Sequence, residues 1–242
     1  MATFEKRAAA ALRFAHANRN VLRSMKCSKE TRRLRLALSL LTASADYGLS
    51  SAQLLVFSRP ELAAGAAALQ RPQLETLLRG TFFASEDACS DGEIDAFVDK
   101  EVLPIRDRAN GGRGPVTVRQ MARFATELFR EVPYLPDVAR FERMVENVID
   151  DWHGLVHGGT VIMDVYRDRN GLIEFSPSEN AMNHLMRNSA TMCGIAWVVS
   201  AMRIAVEPKP AIEGELASAL SEFTAAFEIQ SGVAIPQSLA GC

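Results

Sequence analysis

Four cysteines (Cys27, Cys89, Cys193, Cys242) are scattered through 242 residues without a C-x-x-C pair. That spacing indicates neither a zinc ribbon nor a disulfide framework, so reduced thiols in a cytoplasmic protein are expected. An excess of charge of one sign is lacking too: 27 Lys and Arg face 29 Asp and Glu, a net −2. Such a balance argues against an electrostatic footprint for duplex DNA. Long apolar runs are missing as well. Glu5, Lys6, Arg7, Arg13 and Arg19 interrupt any signal-like core near the start, and the most apolar stretch, Met192 to Met202, is too short to cross a bilayer. The glycine-rich segment from Arg106 to Pro115 lacks the Lys-Ser/Thr ending of a phosphate loop, so no nucleotide is assigned to it. No cofactor and no membrane contact are expected.

What the chain does have is apolar residues, 48% of the total, arranged with helical spacing. Ala8, Leu12, Ala15, Leu22 and Met25 fall near one side of a first helix over 3–26. A second begins near Ser28 and runs through Leu34 to Leu41, with Gly48 to Ser51 as either a turn or a weak point in a longer helix. Ser58-Arg59-Pro60-Glu61 starts a helix rich in alanine, which Pro72 should kink or restart. Ser90-Asp91-Gly92-Glu93, Thr117 and Ser176-Pro177-Ser178-Glu179 open further helices, and the last spans Ile212 to Ile229. The expected fold is all-α: a single domain over 1–230, a bundle of roughly seven to nine helices. A small β-hairpin near 161–175 and a loosely held tail over 231–242 complete it.

Two stretches carry candidate chemistry. In Asp150-Asp151-Trp152-His153-Gly154-Leu155-Val156-His157-Gly158-Gly159, the histidines stand four apart, on one side of a helix that the two glycines end. His157 and His153 can cap and satisfy the helix end, join a carboxylate around a metal, or act without metal as acid, base or anion contact. The Glu that the zinc-protease motif requires after the first His is missing. The second stretch runs from Arg71 to Phe83. Arg71, Glu75 and Arg79 repeat at four-residue spacing among Leu74, Leu77, Leu78 and Phe82, so a charged row lies beside an apolar face. A buried Arg-Glu-Arg row is costly unless fully paired, which makes a functional reason for it more plausible. The compact patch Arg32-Arg33-Arg35 is read either as surface charge or as a phosphate contact.

On Arg71-Pro72-x-x-Glu75-x-x-x-Arg79-Gly80 and the His157-Gly158-Gly159 ending, the chain resembles a bacterial family of all-helical proteins, the DUF6988 and DUF5677-like group. The resemblance covers most of residues 30–205 and implies a helical bundle, but no reaction. A looser similarity is to HEPN-type helical proteins, some of which are RNases, and it implies a homodimer. The Arg-x(4–6)-His spacing of those RNases is absent here.

These readings converge on one arrangement, in which the helix bearing Arg71, Glu75 and Arg79 packs against the helix end bearing His153 and His157. The expected function is a binding or interaction protein whose polar pocket takes a small anion or RNA. The alternative is a hydrolase acting on RNA or a nucleotide, metal-assisted or not, with His157 as acid/base, Arg79 stabilising phosphate charge and Glu75 beside them as a third catalytic candidate.

Overall fold

The computed structural model describes residues 2–25, 31–57, 62–104, 114–130, 141, 145, 177–204 and 210–229. They form helices α1 (Phe4–Ser24), α2 (Arg32–Phe57), α3 (Ala63–Ala68), α4 (Gln70–Ala84), α5 (Asp91–Lys100), α6 (Val118–Arg130), α7 (Glu179–Arg203) and α8 (Pro210–Ala226). Among the described residues there is no strand or sheet, and no helix is long and apolar enough to cross a membrane. The architecture is therefore an all-α bundle. The segment expected to form a hairpin, 161–175, and the tail 231–242 lie outside the described residues.

Short-range chemistry starts most of these helices. The side chains of Thr3 and Ser178 accept from the backbone N–H of Lys6 and Ala181 at the starts of α1 and α7. Ser90 and Glu93 form a reciprocal capping box on α5, and Thr117 with Gln120 does the same on α6. At the start of α2, Thr31 Oγ1 accepts from Leu34 N at 3.2 Å, within the stretch Ser28-Lys29-Glu30-Thr31; Ser28 itself lies outside the described residues. The Gly48-Leu49-Ser50-Ser51 stretch does not interrupt α2. The alanine-rich stretch breaks at Leu69, and Pro72 falls in the first turn of α4. There a missing N–H leaves no helical carbonyl of its own element unpaired.

Helix α2 is the centre of the bundle and packs against α1, α4, α7, α3 and α5. Its inner side is built from small or slender residues, Ala37, Leu41, Ser44, Ala45, Gly48, Ala52 and Leu55, which lets neighbouring backbones come close. At Gly80 of α4 an added Cβ would stand 2.8 Å from Leu41 Cγ. One end of the core is aromatic: Phe82 packs edge-on against Phe83 and Phe124, and Phe83 tilts onto Phe97 of α5. At another, Phe14 of α1 stacks on Phe223 of α8 with ring centroids 4.9 Å apart. Hydrophobic burial in this continuous core holds the helices together.

Candidate functional site

Helix α4 carries two kinds of polar residue on opposite sides. Its inner side holds Gln70 and Gln73 among Leu74, Leu77 and Leu78, all fully buried. Its outer side holds Arg71, Pro72, Glu75, Thr76 and Arg79, all half-buried. Toward the C-terminus this outer side becomes aromatic, at Phe82 and Phe83, where α6 and α5 cover it.

The charged row expected from the spacing is formed. Arg71 Nε donates to Glu75 Oε1 at 2.8 Å, and Arg79 Nη2 stands 3.8 Å from Glu75 Oε2. One carboxylate thus lies between two guanidiniums, and the three groups together carry one net positive charge. The side chains retain 18%, 25% and 33% of their exposure from Arg71 through Glu75 to Arg79. The row therefore sits at the margin of the bundle rather than aimed into its interior. The shortfall in pairing is at Arg79. Its Nε is buried and has no hydrogen-bond partner among the described residues, while the 3.8 Å contact of Nη2 is longer than a hydrogen bond. Nε and Nη2 make up the edge of a guanidinium that grips a carboxylate or phosphate with two parallel bonds. On Arg79 that edge is unused.

His153 and His157 lie outside the described residues, so the structure neither brings them to the row nor separates them from it. Of the other histidines, His16 and His184 are exposed on α1 and α7. Among the described residues no three His, Cys, Asp or Glu side chains are grouped to hold a metal ion.

The basic patch divides: Arg32 and Arg35 are exposed, as the surface-charge reading expects, whereas Arg33 is buried. Arg32 is held by Asp95 at 2.8 Å and Asp99 at 2.7 Å, both on α5. Arg33 is buried, and its guanidinium is saturated. It donates to Asp91 Oδ1, to the carbonyls of Phe83, Ser85 and Cys89, and to Cys89 Sγ. These two arginines clamp the start of α2 to the connector and helix that follow α4.

The polar feature that the spacing of residues did not announce is the seam joining α2, α4 and α7. Gln73 Nε2 donates to Ser189 O at 2.8 Å, Gln70 Nε2 to Ser189 Oγ and Leu185 O, and Ser44 Oγ to Gln73 O at 3.0 Å. Cys193 lies against the same seam, and burial pushes its thiol up to about 12, so it stays neutral. The available signals were Gln70 and Gln73 three apart on an otherwise leucine-lined side, with Ser189 and Cys193 four apart on α7. Each glutamine nitrogen here has a backbone or hydroxyl acceptor, while both glutamine Oε1 atoms are buried without a hydrogen-bond partner; the seam ties three helices together.

Comparison with protein families, with curated proteins and with solved structures finds no match to this chain.

Proposed function

We propose that the outer row of α4 is the binding site for a small anion bearing a phosphoryl or similar oxyanion group, and that the protein acts by binding it. The observation that supports this reading is Arg79: a permanently charged guanidinium, two thirds buried, with its bidentate edge making no hydrogen bond. An orphaned buried donor costs about 1–3 kcal/mol, a cost that an arriving anion removes. His157 and His153 enter this reading as further contacts, contributed from the segment after α6. A cytoplasmic setting fits it, since Cys89 and Cys193 are buried thiols that form no disulfide among the described residues.

Calorimetric titration of inorganic phosphate and of a short single-stranded RNA into the protein tests the reading. Arg79→Lys keeps the charge but loses the fork, and should weaken phosphate binding about tenfold, one charge-assisted bond of roughly 1.5 kcal/mol. Arg79→Ala should weaken it further, with unchanged helical circular dichroism. Phosphate affinity indifferent to both substitutions would sink the site. RNA cleavage by the wild type that His157→Ala abolishes would replace binding by hydrolysis.

A further inference from the structure

We infer that α5 is a latch: it undocks as a unit about the Cys89–Ser90 junction while the rest of the bundle stays folded, uncovering Phe83 and releasing Arg32. The inference stands apart from the anion-site reading. Helix α5 is lightly anchored. Only Ile94 of its ten residues is fully buried, whereas ten of the fifteen residues of α4 are, so far less apolar area holds α5 to the core. Phe97, half-buried, adds one ring contact, with Phe83, at a centroid distance of 4.7 Å.

The remaining attachment is ionic and lies at the surface. The side chains of Arg32, Asp95 and Asp99 keep 52%, 53% and 52% of their exposure, and ion pairs so exposed are individually weak. The helix closes its own ends. Its first turn is satisfied by the Ser90 and Glu93 capping box, which needs no tertiary partner. Its last residue is followed by Glu101 at φ 55°, a left-handed conformation that strains any residue but glycine.

Arg33 fixes where the movement starts. Apart from Asp91, its guanidinium is held by the carbonyls of Phe83, Ser85 and Cys89, none of which belongs to α5. Undocking therefore takes from Arg33 only Asp91, whose side chain is 87% exposed. The connector as far as Cys89 stays tied to α2, and every ion pair given up lies beyond it.

Amide exchange followed residue by residue by NMR, in low and rising urea, tests the latch. The amides from Ile94 to Glu101 should share one opening, at least about tenfold faster than the α2 and α4 amides and nearly insensitive to urea. Ala88, whose N–H donates to Ser85 O at 3.2 Å, should exchange with the bundle instead. Arg32→Gln should speed the α5 amides about fivefold, the worth of exposed ion pairs, and leave α4 unchanged. Exchange of α5 at the α4 rate overturns the inference, as does Ala88 opening together with α5, and neither comparison needs a variant. If Arg32→Gln leaves α5 unchanged, or speeds α4 and α5 equally, the inference also fails, because Arg32 would then not be the bolt of one helix.

Discussion

Position 48 has no side chain because there is no room for one. A Cβ on Gly48 would overlap Cys193 Sγ and Gln73 Nε2 and stand 3.1 Å from Ser189 O. Helix propensity alone favours Gly48→Ala by about 1 kcal/mol, whereas overpacking a filled core costs roughly 1–3 kcal/mol. The contacts here are a backbone carbonyl and two groups fixed by the seam, so the second effect should win. Gly48→Ala is expected to lower the denaturation midpoint in urea, and a raised midpoint would show that α2, α4 and α7 are less tightly joined than these distances require. Arg33 makes the same point with charge. Its side chain is 7% exposed while its partner Asp91 is 87% exposed, so the ion pair spans from core to solvent, and backbone carbonyls complete the guanidinium. From the sequence, Arg33 was one of three similar arginines. Only the distant residues it meets separate it from Arg35, which is exposed.

Helices differ in how much of their placement comes from their own ends. The capping boxes of α5 and α6 were readable in Ser90-x-x-Glu93 and in Thr117, because donor and acceptor lie three residues apart and need no tertiary contact. Docking of α5 is another matter, for it depends on Arg32 reaching Asp95 and Asp99. Hydrogen bonding to Arg32 holds the Asp99 carboxyl below its usual 3.8. A carboxyl depressed in the folded state stabilises above its unfolded value, and that contribution is lost as pH falls through the folded one. Amide exchange of α5 should therefore accelerate relative to α4 as pH drops below about 4, after correction for intrinsic rates. Asp99→Asn should weaken the docking already at neutral pH and flatten the change. Identical pH profiles for α4 and α5 in the wild type would show that the pair does not hold α5 in place.

Across the bundle, the first and last helices complete the core together. Phe14 and Phe223 stack, Phe227 adds a tilted contact with Phe223, Arg13 pairs with Glu222, and Arg7 Nε donates to Ala226 O at 3.3 Å. Truncating a buried phenylalanine costs about 3–5 kcal/mol, a large part of a typical domain's total stability of about 5–15 kcal/mol. Phe223→Ala should lower the midpoint of a single thermal transition for all helices if α8 is integral. Loss of α8 alone, with the remaining helices melting as before, would show that it is an appendage.

Among the described residues, helix positions, most helix starts and the all-α class were legible in the chain because they depend on neighbours a few residues away: a hydroxyl three positions from an N–H, or an apolar residue every third or fourth place. The row of Arg71, Glu75 and Arg79 belongs to this kind, since a helix alone brings its three groups together. How buried that row is, and that Arg79 keeps its gripping edge unused, depended on what packs around α4. The pairing of Arg33 with Asp91, 58 residues away, and of Gln73 with Ser189, 116 away, belongs to the same class. Local geometry leaves such partners undetermined, because many side chains of equal chemistry compete for each one until close packing admits a single arrangement.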